Sequence, residues 1–311
     1  MAALLKPHAV PPDAEVAVVS PASTPRRERV EGGMDALRAL GYAPQLSEQA
    51  LARGPLYFAG APDVRLRDLH HAFADDVVRA IFCTRGGYGS NYLLEGLDLD
   101  MIAEGAKPWL ASSDMTAPQL WLLDQIGLPA FYGPMLSADF SREGGIHAAS
   151  LRAAFGGESY SVGAEEGMRS LRRGRARGTL YGGCLSILVA LLGTPYEPQT
   201  EGKLLFLEDV GTKPYQIDRM LWQLCEAGKL DGVRGIVFGE MLDCVSPGAA
   251  PELLEEVILR TLDGFKGPIA FGLRCGHVSH GHVTLTFGVD AELVVAGEAR
   301  LQMIEPAVAG L

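Results

Sequence analysis

The stretch "KPWLASSDMTAPQLW" (residues 107–121) decides how this chain is read. Trp109-Leu110-Ala111 is a short apolar run of the kind that makes a buried strand. Ser112-Ser113-Asp114 breaks it, and TAPQLWLLDQIG (116–127) follows at helical spacing. A strand running straight into a helix is half of a strand–helix–strand unit. The same grammar recurs on both sides. EVAVVS (15–20) reads as a buried strand, and ERVEGGMDALRALG (28–41) as a helix closed by Gly41. PDVRLRDLHHAFAD (62–75) reads as a helix, and VRAIFC (78–83) and PAFYG (129–133) as strands. The second half offers strands at 203–208, 234–239, 268–272 and 283–287, and helices at 214–228 and 251–265. Such alternation predicts an α/β fold with a mostly parallel sheet covered by helices.

At 311 residues the chain exceeds one ordinary core and suggests about two domains. FGGESYSVGAEEGMRSLRRGRARG (155–178) is polar, rich in Gly and Arg and weakly periodic, so it reads as the linker. The expected division is 1–155, a linker at 156–178, and 179–311. A formal net charge of −11 argues against a nucleic-acid partner, which calls for a basic face. The five cysteines are scattered without C-x-x-C spacing, as in a protein of a reducing compartment. CLSILVALLG (184–193) is about half of the ~20 apolar residues that a membrane span needs. The N-terminus carries no signal-like apolar stretch, so a cytoplasmic location with no membrane partner is expected.

In open α/β sheets, sites form where strand ends meet loops. Ser113, between a strand end and a helix start, reads either as a nucleophile beside a backbone donor or as part of a helix cap. No G-x-S-x-G occurs, which disfavours the usual α/β-hydrolase. RGGYG (85–89) follows a strand. Its glycines let backbone N–H groups approach an anion, or serve only a tight turn. Glu208 ends the run KLLFLE, where a carboxylate can orient a histidine, accept a proton or ligate a metal. CGHVSHGH places His277, His280 and His282 within six residues, a zinc set or a general base at 277 with two bystanders. Five arginines between 169 and 177 read as solvated linker or as an attractor of acidic substrate. Ser113, Glu208 and His277, each at a strand end, are together the parts of a Ser-His-acid triad.

Six blocks in order resemble one family: VVSPAS (18–23), residues 56–98 around TRGGYGS, KPWLASSDMTA (107–117), GGCLSILVALLGTPYEP (182–198), LLFLEDVGTKPYQIDRMLWQL (204–224) and FGLRCGHVSHGHVTLTFG (271–288). They are similar to the LD-carboxypeptidases, serine peptidases whose relatives include the microcin C self-immunity proteins. The resemblance implies an N-terminal Rossmann-like domain with a mostly parallel sheet and a smaller C-terminal α/β domain. The active site would lie in the crevice between them. It carries the nucleophile onto Ser113, the acid onto Glu208, the base onto His277 and the oxyanion donors onto the backbone of Gly87 and Asp114. It implies no metal or organic cofactor, a small peptide substrate such as murein tetrapeptide, and a homodimer. Arg85, Gly86, Tyr88 and Ser112 are the expected substrate contacts, and a terminal carboxylate would suit either Arg85 or the arginines of 169–177.

Three positions depart from the family pattern. Ala111-Ser112 replaces a Gly-aromatic pair, Cys184 replaces Asn in GGNLS, and Thr212 stands where an acid is common. The rival readings are a microcin-immunity-like hydrolase of aminoacyl-nucleotide amides, a zinc hydrolase built on the three histidines, and a non-catalytic small-molecule binding protein. The first of these needs an adenine-stacking surface, for which 155–178 offers Phe155 and Tyr160 and no Trp.

Overall fold

A computed structural model describes residues 3–250 and 252–310. Its first half lays down β1 (Glu15–Val19), α1 (Arg27–Ala39), β2 (Ala43–Leu46), α2 (Pro62–Ala74), β3 (Ala80–Cys83), α3 (Leu99–Glu104), β4 (Trp109–Ala111), α4 (Thr116–Ile126), β5 (Ala130–Tyr132) and α5 (Ala148–Gly156). The inner strands are apolar and buried, β3, β4 and β5 at every position and β1 at all but its first, as befits strands covered on both faces, while the edge strand β2 is half exposed. They pair in parallel in the order β5-β4-β3-β1-β2.

The second half continues with β6 (Tyr160–Val162), β7 (Arg169–Arg172), β8 (Gly174–Cys184), α6 (Leu185–Ala190), β9 (Lys203–Glu208), α7 (Pro214–Glu226), β10 (Gly235–Gly239), α8 (Leu253–Thr261), β11 (Ile269–Leu273), β12 (Leu285–Phe287), β13 (Asp290–Val295) and β14 (Ala299–Met303). Eight of these strands form one sheet in the order β6-β14-β13-β8-β9-β10-β11-β7. Its centre, β8 to β11, is parallel, and antiparallel strands flank it.

Two features differ from the expectation. The stretch read as a linker, 156–178, carries β6, β7 and the start of β8. Its charge masks a pleated surface. Arg175 and Arg177 on β8 pair across the strand with Glu292 and Asp290 of β13, so these arginines form rungs of a sheet face. The other difference is β12. It lies in the second half of the chain but joins the first sheet, antiparallel to β5, with Leu285 opposite Tyr132. The chain therefore crosses back just after the CGHVSHGH segment. Phe287 then stacks on Tyr132 with ring centroids 5.1 Å apart, and Phe206 of β9 lies 5.9 Å from the same tyrosine. One apolar cluster thus runs through both sheets, and the carboxyl ends of β4, β5, β8 and β9 meet at its edge. Tyr181 on β8 adds a polar tie, donating to Asp124 of α4 at 2.7 Å.

Candidate active site

After β4 the chain stays extended at Ser112 (φ −152°), and Ser113 then takes φ +62°, the left-handed region. A side chain with Cβ is disfavoured there by roughly 1–3 kcal/mol, so the surroundings must hold it. They do so from both sides. The Ser113 N–H donates to Tyr132 Oη at 3.0 Å, and the Ser113 carbonyl accepts from Thr116 Oγ1 at 2.7 Å. Thr116 Oγ1 in turn accepts the Cys184 N–H at 3.0 Å, so the end of β8 braces the turn. This is the geometry of a nucleophile elbow, reached without the G-x-S-x-G pattern.

The elbow points Ser113 into a cleft of about 480 Å³ lined also by Ser112, Arg85, Gly86, Gly87, Gly276 and His277. Asp114 itself is buried. Its carboxylate accepts the Ser90 N–H at 2.8 Å and its carbonyl accepts Ser90 Oγ–H at 2.7 Å, which fastens the elbow to the end of the RGGYG loop. Buried Arg65 holds that loop from behind, donating to the carbonyls of Gly89 and Pro21. Gly86 has to be glycine. A Cβ there would stand 2.9 Å from Ser113 Cβ, 3.0 Å from Ser113 Oγ and 3.2 Å from the Asp114 nitrogen. The space beside the hydroxyl and the Asp114 amide is left open by that missing side chain. Tyr88 lies beyond it, exposed and in ring contact with Tyr57 and Tyr92.

Glu208, the last residue of β9, is 0% exposed. Its Oε2 accepts both the backbone N–H of His277 at 2.9 Å and the His277 Nδ1–H at 2.8 Å, while Oε1 accepts Tyr132 Oη–H at 2.6 Å. Gly276 makes this approach possible. It has φ +89°, and a Cβ there would overlap the Glu208 carboxyl group. With Nδ1 committed to the carboxylate, the other ring nitrogen of His277 is the one available to the cleft.

Burial would depress the His277 pKa, but the Glu208 carboxylate and its hydrogen bond outweigh it and push the imidazole up to about 9. Burial would likewise raise Glu208. The facing imidazole and the hydrogen bonds from His277 and Tyr132 win instead and hold it below the ordinary carboxyl range. Burial, with Glu208 alongside, drives Tyr132 well above the usual phenol value, so it stays protonated and donates.

The three histidines do not converge as a zinc set. His282 is fully buried, with Nδ1 3.0 Å from Asp139 Oδ2 and Nε2 accepting the Gly276 N–H at 2.9 Å. His280 is exposed and bonds Ser279. Among the described residues no three His, Cys, Asp or Glu side chains are placed to hold a metal ion. His282 instead fixes the backbone immediately before His277.

The arginines of 169–177 also leave the site. Arg169 pairs with Glu255, Arg172 donates to the carbonyls of Leu262 and Phe265, and Arg175 and Arg177 pair across strands. Arg26, Arg29, Arg85 and Arg142 line the cleft instead. Of the departures, Thr212 donates its hydroxyl to Asp209 at 2.7 Å. Cys184 is buried beside Asp209 with its thiol pushed well above the usual value by burial, so it is an inert packing group.

Sequence reasoning missed Tyr132. The signal was present, since a tyrosine at the buried end of PAFYG needs a partner for its hydroxyl and strand ends face the crevice.

Residues 16–133 match the LD-carboxypeptidase N-terminal domain, and residues 177–293 the LD-carboxypeptidase C-terminal domain. The chain is 31% identical over 280 residues to the murein tetrapeptide carboxypeptidase of Pseudomonas aeruginosa, covering 86% of this chain and 89% of that one. Among solved structures it superposes on an MccF-like protein from Bacillus anthracis with TM-score 0.89 and 26% identity, covering 96% and 99% of the two chains. A muramoyltetrapeptide carboxypeptidase from Oxalobacter formigenes gives TM-score 0.83 and 26% identity, over 94% and 99%.

The His277 value sits above its ordinary 6.5, so the pair contributes stability that is fully present below about pH 6.5 and is lost as pH rises through about 9. NMR titration of the His277 ring is expected to give a midpoint near 9. In Glu208→Gln the midpoint should fall markedly, because the carboxylate and hydrogen bond that chiefly oppose burial are then gone and only the charges of Asp209 and Asp139 still act against it. A wild-type midpoint at 6.5 would contradict the coupling.

Proposed function

Because the chain belongs to the LD-carboxypeptidase family, we propose that it is a serine carboxypeptidase acting on murein peptides. The bond cleaved is the amide between an L-centre and a terminal D-amino acid, trimming tetrapeptide to tripeptide. The observation that carries this reading is the fully buried Glu208 carboxylate bound to Nδ1 of a histidine that lines the same cleft as the strained Ser113.

The neutral form of His277, a minority near pH 7 that grows as pH rises toward about 9, takes the Ser113 proton as Oγ attacks the scissile carbonyl carbon, so kcat/KM should climb between pH 7 and 9. The tetrahedral intermediate carries its negative charge on the former carbonyl oxygen, which the N–H groups of Gly87 and Asp114 stabilise. Each such donor is worth roughly 3–4 kcal/mol of barrier. The imidazolium then protonates the leaving nitrogen, the C–N bond breaks, and the D-amino acid departs. Water, deprotonated by His277, attacks the acyl-enzyme and restores Ser113. Glu208 keeps the imidazole in the required tautomer and stabilises its cation. Tyr132 acts through both partners. Its oxygen accepts from the nucleophile's backbone while its proton goes to the acid, so it positions the two halves of the triad against each other. The terminal carboxylate of the substrate meets Arg85 at the mouth of the cleft.

A microcin-immunity-like activity needs an aromatic surface for a base. Within 155–178 Phe155 is buried in the core and Tyr160 is held by its hydroxyl on the Thr284 carbonyl at 2.8 Å, so that stretch offers no free ring. The exposed rings near the cleft are Tyr57 and Tyr88, and they carry the second reading.

The test is release of the terminal D-amino acid from murein tetrapeptide, followed by mass spectrometry, in preparations treated with and without chelator. Ser113→Ala is expected to lower kcat by at least about 10⁴-fold with an unchanged denaturation curve, as triad knockouts do. Turnover within tenfold of wild type would remove Ser113 from the reaction.

Tyr132→Phe leaves a buried N–H and one carboxylate oxygen short of a partner, about 1–3 kcal/mol. It is expected to lower kcat by about 10- to 100-fold with KM little changed. A raised KM at constant kcat would assign Tyr132 to the substrate pocket instead.

A further inference from the structure

The cleft does not end at its mouth. Arg26 and Arg85 also line a second cavity of about 500 Å³, which Arg27, Arg53, Glu28 and Tyr57 help to close. Four arginines therefore face one carboxylate there, in a chain whose acids outnumber its bases 38 to 27. Elsewhere this protein spends its arginines on carboxylates: Arg169, Arg175, Arg177 and Arg260 are all ion-paired. Around the second cavity, Arg26, Arg53 and Arg85 make no ion pair among the described residues, and Arg27 reaches Glu31 only at 4.0 Å. Helix α1 also opens there. Its N-cap residue, Arg26, supplies no side-chain acceptor, and Glu28 is the one acid of the first turn, so the helix end adds positive partial charge that a single carboxylate offsets.

Unpaired guanidinium groups of like sign repel one another, so a cavity that gathers them is stabilised when an anion enters. The planar guanidinium fork matches carboxylate and phosphate oxygens two at a time. Tyr57 and its neighbours Phe58 and Tyr88 supply an aromatic wall beside the charge, with ring centroids 4.7 and 5.9 Å from Tyr57. We propose that this side cavity is an anion subsite for the same substrate, receiving a carboxylate or phosphate group remote from the bond cut at Ser113. The substrate class is thereby narrowed to peptides carrying at least two anionic groups, one at the terminus that Arg85 meets and one further along that Arg26, Arg27 and Arg53 meet. The inference rests on the carboxypeptidase reading for the identity of the bond cleaved, and on the cavity for the second anion.

The experiment compares three synthetic tetrapeptides, alike except that the group remote from the scissile bond is a free carboxylate, a phosphate or a neutral amide. Wild-type enzyme is expected to turn over at least one anionic peptide with a KM about tenfold below that of the amide. Preference for the carboxylate or for the phosphate identifies the natural source. In Arg53→Gln, a change on an exposed residue that lines only the side cavity, that tenfold advantage should shrink to less than twofold. Arg53→Lys should keep part of it. Raising the salt concentration should erode the advantage for the anionic peptides alone. Equal KM values for all three peptides in wild type, or an advantage undiminished in Arg53→Gln, would overturn the subsite.

Calorimetric binding of the same peptides to Ser113→Ala reads the subsite without turnover. Anion-dependent binding with no hydrolysis by wild type would overturn the carboxypeptidase reading and leave the subsite standing. Equal binding of all three peptides would overturn the subsite itself.

Discussion

A carboxylate with no exposed surface is the constraint on which the site depends. Left alone in an apolar cluster, Glu208 would take up a proton, because burying an unpaired charge is far costlier than neutralising it. It stays ionised because three donors reach it: the backbone and ring N–H groups of His277 and the hydroxyl of Tyr132. Removing any one leaves a buried polar group short of a partner, so the arrangement holds as a unit. Tyr132 passes the constraint on to the Ser113 backbone, whose left-handed conformation is otherwise unfavourable. A single junction therefore sets the tautomer of a histidine and the posture of a serine that stand 164 positions apart in the chain.

The topology makes that junction possible. Ser113, Tyr132 and Glu208 all sit at carboxyl ends of parallel strands, where an open α/β sheet presents its crevice. His277 comes from a loop and needs other anchors. His282 ties the loop's backbone at Gly276, and β12 then draws the chain into the first sheet against β5. The strand that delivers the histidine segment thus pairs with the strand that carries Tyr132. Glycines at 86 and 276 remove the two side chains that would keep the loops from closing on the serine and on the carboxylate.

Much of this was legible in the sequence. Apolar strands alternating with amphipathic helices announce the α/β architecture, and Ser113 and Glu208 stand out beside strand ends. His277 is expected beside one too, and lies in the loop after β11. What was hidden has physical causes. Residues 156–178 look like a linker because β8 carries arginines that pair across the sheet and β7 carries arginines held by α8 and the turn after it, and composition cannot distinguish such a charged strand from a solvated loop. The zinc reading of CGHVSHGH failed because spacing does not reveal that His282 turns inward to Asp139 and Gly276. The membership of β12 in the first sheet is a long-range pairing with no local signature. Tyr132 draws no notice within the strand PAFYG, and its ring is indeed buried in the core. Its function lies in one hydroxyl at the end of an otherwise apolar side chain.

The central claim is that the strained serine, and not its neighbour Ser112, attacks a carbonyl in a cradle of backbone amides. Peptide mapping after reaction with a peptidyl aryl phosphonate, a serine-directed probe that traps the attacking oxygen, tests this most directly. The account requires one adduct per chain, on Ser113, formed far more slowly in Glu208→Gln. An adduct on Ser112, or hydrolysis of the peptide by protein that the probe leaves unlabelled, would contradict it.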